Sequence, residues 1–205
     1  MDLKRHLPSA AFVVVFLMLV AAFGGIFIYA GIYNIGADAP HSSAVYGLLK
    51  QLREHAVAHH SESIVAPRDL NSPRRIEAGA GLYQEMCTGC HLSPGVEPSE
   101  MSQGLYPPAP DLAKTGDRSA AQQFWIIKHG VKLSAMPAWG KTHNDGLIWD
   151  MVAFIRQLPK MSAEQYKTAI ANAPEDHEEM MKEMEGESET ASRPHVHTPG
   201  EEHHH

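Results

Sequence analysis

The feature that most constrains this chain is an apolar segment near the N-terminus, residues 10–35, that contains no charged side chain. Roughly 20 residues of α-helix, rising about 1.5 Å each, cross the hydrocarbon core of a bilayer, so this segment is long enough to span one. A cleaved signal peptide has a shorter apolar region, and Pro40 makes the small residues 37–39 a poor cleavage site. A buried helix of a soluble protein is disfavoured, because the rest of the chain is too short to enclose it. The segment therefore predicts a transmembrane helix.

The charges beside this segment predict its orientation. Lys4 and Arg5 lie in the short stretch before it. Because lysine and arginine favour the cytoplasmic side, residues 1–9 are expected in the cytoplasm and everything after residue 35 outside it. We therefore predict a single-pass protein of the inner (cytoplasmic) membrane whose main domain faces the periplasm.

Between residues 36 and 71 the sequence predicts a juxtamembrane helix and then a linker. Apolar residues recur at helical spacing behind Ser42 or Ser43 as the N-cap. They are Val45, Leu48, Leu49, Leu52 and Ala56. Residues 60–71 are polar and contain a proline, which is typical of a linker. The histidines at positions 41, 55, 59 and 60 are interpreted as the polar face of the helix rather than as a second haem or quinone site.

Residues 72–162 are predicted to form a compact helical domain. Ser72 and Pro73 form a cap followed by proline at the first helical position. Ser119 and Gln122 have the capping-box form, and a last helix is expected to begin near residues 142–145 and to stop at Pro159. No alternating run calls for a sheet, so the fold class is all-α.

Residues 163–205 are predicted to be a disordered acidic tail that contains histidine and methionine. From residue 173 onwards, ten carboxylates face only Lys182 and Arg193, and Val196 is the only β-branched apolar residue. Such a composition cannot bury enough apolar surface to fold by itself.

The only two cysteines of the chain lie in one short motif, Cys87-Thr-Gly-Cys90-His91. A thioredoxin-like redox pair would need strands around a crossover helix, which this sequence does not offer. A closed zinc site needs four ligands, and this motif supplies at most three. In the remaining interpretation both thiols bond covalently to one haem and His91 binds the iron. We therefore predict one covalently attached haem c.

Met136 is the predicted second iron ligand. It lies in the loop "LSAMPAWG", where Pro137 and Gly140 can fix a non-helical backbone close to a flat ligand. Met101 is a weaker candidate. His129 and His143 are the rival ligands, and we interpret the first as a helix end and the second as a helix cap.

Residues 73–159 resemble the small monohaem cytochrome c domains of bacteria, class I cytochromes c. The resemblance rests on Gly79 four residues before Tyr83, on Cys87-x-x-Cys90-His91, on Met136-Pro137, and on the final helix "LIWDMVAFIRQLP". It implies about four helices around a covalent haem, preceded here by the transmembrane helix and the amphipathic helix.

The same resemblance implies contacts within this domain. The first and last helices are expected to cross at Gly79, against Trp149 or Phe154 of the last helix. A carbonyl in "LYPPAPDLAKTG", from Pro107 or Pro108, is expected to accept the Nδ1 hydrogen of the haem-binding histidine. Two further tryptophans are candidates either to line the haem or to pack in the core, namely Trp125 and Trp139.

The predicted function is electron transfer without catalysis. An iron held by His91 and Met136 has no open position for a substrate, and the methionine raises its reduction potential. The expected partners are the membrane and redox proteins such as a terminal oxidase or a dehydrogenase, with no nucleic acid. One alternative is a peroxidase-like haem enzyme, which requires that Met136 is not a ligand. Another is a copper-binding tail, because its histidines and methionines are ligand types that copper accepts.

Overall fold

The computed structural model describes residues 8–174 and divides into two compact units, Met1–His41 and Ser42–His205. Within the described residues every regular element is helical and none is a strand, which confirms the all-α prediction. The α-helices are α1 (Ala10–Tyr29), α2 (Ser43–Ser61), α3 (Pro73–Met86), α4 (Thr88–His91), α5 (Glu100–Gln103), α6 (Ala120–His129), α7 (Asp145–Ile155) and α8 (Ala163–Ala171).

The first unit contains α1, which is capped by the Ser9 hydroxyl at the amide of Phe12. Its large side chains are exposed, and its length and composition suffice to cross a membrane. The helix ends at Tyr29, earlier than the apolar segment itself, because the backbone turns at Gly31 with a φ of 63°. The apolar side chains as far as Ile35 lie beyond the helix.

In the second unit α2 begins after the predicted cap, Ser42, and packs on α6, and its Val57 is buried. The expected linker after α2 is instead packed. Leu70 belongs to the hydrophobic core, and Ile64 and Ala66 are partly buried against it. These apolar side chains hold the segment onto the domain, which its proline and polar residues alone did not indicate.

The core is built where α3 crosses α7. A Cβ on Gly79 would lie 1.9 Å from the carbonyl oxygen of Asp150 and 2.9 Å from Cβ of Phe154, so only glycine allows this approach. Tyr83 of α3 then packs on Phe154, with ring centroids 5.6 Å apart. Trp149 faces elsewhere and stacks on Phe124 of α6 at 4.2 Å. Of the two aromatic candidates, Phe154 therefore lies at the crossing.

A buried ion pair between Arg75 and Asp150 joins α3 to α7. Arg75 donates from Nη1 to Asp150 at 2.6 Å and from Nε to Asp69 at 2.9 Å. Burial raises the pKa of the Asp150 carboxyl, against the opposing effect of the Arg75 guanidinium. Because unpaired buried charges are costly, this contact fixes the start of α3 against α7. The sequence pattern did not reveal it.

The predicted tail does not begin at residue 163. Residues Ala163–Ala171 form α8, which Ser162 and Gln165 cap with a reciprocal pair of hydrogen bonds. Tyr166 is buried, and its hydroxyl donates to Gln84 Oε1 at 2.7 Å. Tyr166 buries apolar surface together with Ala169 and Ile170, and the acidic composition that argued for disorder begins only at residue 173. The predicted disorder of residues 175–205 lies outside the described residues.

Candidate functional site

The cysteine motif sits where α3 passes directly into α4. Cys87 is the C-cap of the first helix and the N-cap of the second, and it is buried. Its carbonyl accepts the amides of Cys90 and His91 at 3.2 and 2.8 Å. Both cysteines are free and Cys90 is partly exposed. A single helical turn therefore presents two thiols and one imidazole from one short segment.

Pro110 orients the imidazole of His91. The ring Nδ1 lies 2.9 Å from the Pro110 carbonyl oxygen, and the His91 carbonyl accepts the amide of Leu112 at 3.2 Å. The expectation of Pro107 or Pro108 was therefore wrong in position, although the proline-rich loop was the right one. The choice among these prolines depends on how the loop folds over α4, which sequence spacing does not reveal.

This hydrogen bond decides which nitrogen can bind a metal. A carbonyl accepts only from N–H, so Nδ1 carries the hydrogen and Nε2 is the ring nitrogen left with a lone pair. Burial lowers the pKa of His91, against the opposing effect of the Pro110 carbonyl. The imidazole is therefore neutral at pH 7, which is the form that binds metals.

Tyr83 holds the other end of the motif. Its side chain is fully buried, and its hydroxyl donates to the carbonyl of Leu92 at 2.6 Å. Leu92 ends α4 with a φ of 61°, a conformation that costs a non-glycine residue energy. The Tyr83 hydrogen bond therefore stabilises a strained turn directly after His91.

We expect Tyr83→Phe to lower the free energy of unfolding by about 1 kcal/mol, since it removes one buried hydrogen bond and keeps the ring. Chemical denaturation of the haem-loaded protein, followed by far-ultraviolet circular dichroism, measures this. Tyr46→Phe is the matched control, because that tyrosine lies 39% exposed on α2, and no change is expected there. An equal effect of the two substitutions would show that the Leu92 contact is unimportant.

The surroundings of Cys87 differ from those of a nucleophilic cysteine. Burial raises the pKa of the Cys87 thiol to about 12, with a further contribution from Cys90. A nucleophilic Cys-x-x-Cys pair instead needs a lowered pKa, so that the thiolate is present at neutral pH. Within residues 8–174, no three histidine, cysteine or carboxylate side chains are arranged to hold a metal ion. Both thiols remain available for covalent attachment.

The loop that contains Met136 is fixed by its own backbone. Val131 donates its amide to the Met136 carbonyl at 3.2 Å, and the Met136 amide donates to the Ser134 hydroxyl at 3.2 Å. Gly130 has a φ of 67°, and the loop passes close to its backbone. A Cβ added at Gly130 would lie only 2.7 Å from the Met136 carbonyl oxygen. The Met136 side chain is partly buried against the core. The loop therefore presents a thioether from a defined backbone.

The rival ligands lie in different surroundings. His129 is exposed at the end of α6, as expected, and its ring lies 5.1 Å from that of Trp125. His143 is buried, with Nδ1 2.8 Å from the Thr142 hydroxyl. It is not the cap of α7, because Asn144 takes that position. Met101 lies near the motif, its sulfur 3.6 Å from that of Cys90.

The two remaining tryptophans differ in their contacts. Trp125 stacks on His60 of α2 with ring planes 9° apart, so it joins two helices. Trp139 lies in a short 3-10 turn, partly buried against the core, with the edge of His143 against its ring. The contact between Trp125 and His60 was not predictable from the sequence, because it joins segments that are distant along the chain and carry no shared pattern.

These donors suit a haem held through sulfur. The site supplies two free thiols on one turn, an imidazole whose Nε2 is free for iron, and a thioether on a fixed loop. Nitrogen and thioether sulfur are the axial ligands of electron-transferring cytochromes. The residues present therefore fit that group.

One family of known proteins matches this part of the chain. Residues 74–155 match the model of the family described as cytochrome C oxidase, cbb3-type, subunit III. The match includes the cysteine motif, Met136 and the crossing of α3 with α7, and it covers less than half of the chain. It leaves out α1, α2 and α8. No curated relative and no solved structure matches the chain.

Proposed function

Because residues 74–155 are a cytochrome c domain, a fold that carries electrons through haem, we propose that the chain is a membrane-tethered one-electron carrier with one covalent haem c. Cys87 and Cys90 hold the porphyrin through sulfur, and His91 and Met136 bind the iron. The observation that carries this proposal is the turn of Cys87, Cys90 and His91, inside the matched segment, with His91 Nδ1 held on the Pro110 carbonyl.

Each residue of the site then has a defined task. A haem iron with histidine and methionine ligands supplies one-electron chemistry and has no open position for oxygen or peroxide. Pro110 and Tyr83 keep His91 in one orientation, and the backbone around Gly130 and Ser134 does the same for Met136. Ligands that are held in place in both redox states need little rearrangement when the charge changes, which favours fast transfer.

The membrane tether is proposed from α1. This helix is long and apolar enough to span a bilayer, and Lys4 and Arg5 precede it. By the preference of basic residues for the cytoplasmic side, the cytochrome domain faces the periplasm. An anchor confines the carrier to the membrane plane and raises its effective concentration near membrane-bound partners.

The proposed partner is a membrane oxidase complex. The matching family is described as a subunit of a cbb3-type cytochrome c oxidase, and the cytochrome domain of this chain corresponds to that family's model. We infer that the chain passes electrons to such a complex, as a subunit or as a tethered donor. A peroxidase-like enzyme is the alternative, and it requires an iron position that Met136 does not fill.

Covalent attachment has a direct test. The full chain is produced in a host that assembles c-type haem, and its intact mass is compared with the 22.5 kDa of the polypeptide. We expect the mass to increase by one haem and the colour to survive acid–acetone extraction. With both Cys87→Ala and Cys90→Ala, the colour should be lost on extraction. A colourless wild-type protein, or pigment that acid–acetone removes, would contradict the proposal.

A further inference from the structure

One face of the juxtamembrane helix α2 packs on the cytochrome domain, residues 72–162, and the other face is exposed. Val57, on this face, is 1% exposed. Arg118 donates from Nη2 to both carboxylate oxygens of Glu54, each at 2.8 Å. His60 stacks on Trp125 of α6, with ring centroids 5.6 Å apart. The ion pair with Arg118, the ring stack on Trp125 and the burial of Val57 indicate that this face of α2 packs on the rest of the unit.

The opposite face of α2 is apolar and exposed. Leu48 and Leu52, one turn apart, are 67% and 65% exposed, and Val45 precedes them on the same stripe at 38%. On an α-helix, these positions lie roughly opposite Val57 and Glu54. We call the side chains of Val45, Leu48 and Leu52 the outer stripe of α2. Because these side chains are exposed, they do not stabilise the unit through burial. The outer stripe is therefore available to contact a partner outside the unit.

The size of the outer stripe favours a lipid surface over a protein. A stable protein interface takes about 20–30 residues from each side, whereas this stripe has three large side chains on one helix. A helix lying in the bilayer interface needs only such a narrow apolar face, immersed by roughly 5–10 Å. The stripe is therefore sufficient for a bilayer surface and too small for a protein interface.

The part of α2 that carries the outer stripe has no negative charge that would oppose contact with a bilayer. No carboxylate occurs between Asp38 and Glu54, although the chain contains 24 acidic residues. Glu54 itself is occupied by Arg118 on the docked face. The two cations of the helix do not flank the stripe, because Lys50 lies about 160° around the helix from Leu52 and Arg53 pairs with Glu54 at 3.6 Å, so the proposed contact with the bilayer is apolar.

The length of the chain brings α2 close to a membrane. Residues 30–42 separate the end of α1 from the start of α2. When fully extended, so short a segment reaches at most about 45 Å. Wherever α1 spans a bilayer, α2 thus begins within reach of its surface, which raises the effective concentration of lipid at the outer stripe.

We propose that α2 lies on the outer surface of the bilayer with its outer stripe immersed, while its other face packs on the cytochrome domain. Because α2 contacts both the bilayer and the domain, it mounts the haem domain on the membrane in one orientation. This inference rests on the proposed membrane anchor, and it adds that the domain does not swing freely on its tether.

The test uses the full haem-loaded chain in native membranes. The photoreactive residue p-benzoylphenylalanine replaces Leu52 in one variant and Gln51 in the other. Gln51 is exposed at the same height on α2 but about 100° away from Leu52 around the helix. After irradiation, mass spectrometry identifies what each position has bound. We expect phospholipid adducts several-fold more abundant at position 52 than at position 51.

Other outcomes overturn the inference in distinguishable ways. Adducts to another protein or to a second copy of the chain would assign the outer stripe to a protein interface. Equal lipid labelling at the two positions, or labelling at neither, would show that α2 is not mounted on the bilayer. Sedimentation with membranes and the haem absorbance are recorded in the same samples. Loss of either would count against the proposed anchor or cofactor instead of against the mount.

Discussion

Met136→Ala should leave haem attached to the chain but change its electronic state. The substitution removes the proposed thioether ligand, so the absorption and magnetic circular dichroism bands of methionine ligation are expected to disappear from the oxidised protein. Because methionine favours reduced iron, we expect the reduction potential to fall by a few tenths of a volt, within the roughly 0.8 V that axial ligands span. Spectroelectrochemical titration of the purified full chain measures both changes.

Met101→Ala is the matched control for this experiment. Its sulfur lies 3.6 Å from that of Cys90, so the substitution changes the surroundings of the motif without removing the proposed ligand. We expect it to leave the ligation bands in place. If Met101→Ala removed those bands and Met136→Ala did not, the ligand would be Met101. If neither substitution removed them, another methionine would be the ligand. If the unsubstituted protein lacked these bands, a ligand other than methionine would be implied and the peroxidase-like alternative would need a direct assay.

Gly79→Ala should destabilise the cytochrome unit severely. The new Cβ would lie 1.9 Å from the Asp150 carbonyl oxygen and 2.9 Å from Cβ of Phe154, and neither of these atoms is the far end of a flexible side chain. The two helices must therefore separate, which also disturbs the ion pair between Arg75 and Asp150. We expect the free energy of unfolding to fall by about 3 kcal/mol or more, at the upper end of overpacking effects. Thermal and denaturant unfolding of the haem-loaded protein measure this.

Gly81→Ala in the same helix is the control. Its Cβ would make only ordinary contacts, 3.5 Å from Cβ of Ala173 and from the Pro174 carbonyl. Alanine is a better helix former than glycine by about 1 kcal/mol, so the substitution should be neutral or stabilising. Similar stabilities for the two variants would show that the close crossing at Gly79 does not constrain the fold.

Local sequence patterns predicted most of the helices, because helix signals act over short distances. Ser72 with Pro73, and Ser119 with Gln122, start α3 and α6 as their chemistry indicates. Ser162 and Gln165 have the same capping-box form at α8, and this signal could have placed that helix. The acidic composition after residue 172 favoured a prediction of disorder instead.

Contacts between distant segments were not predictable in this way. The carbonyl that holds His91 belongs to Pro110, Arg75 pairs with Asp150, and Trp125 stacks on His60. Each contact depends on the path of a loop or on the angle between two helices. Neither leaves a repeating pattern in the sequence.

The sequence by itself determined the apolar helix at the N-terminus and the helical class of the domain, and its cysteine motif predicted haem binding. These follow from residue type and spacing, which act within a few turns of one helix. Only the tertiary structure decided that α2 belongs to the cytochrome unit and that its leucine stripe faces outwards. The face that a helix buries depends on the surfaces offered by its neighbours, and α2 turns Val57, Glu54 and His60 towards the rest of the unit while its leucine stripe stays exposed.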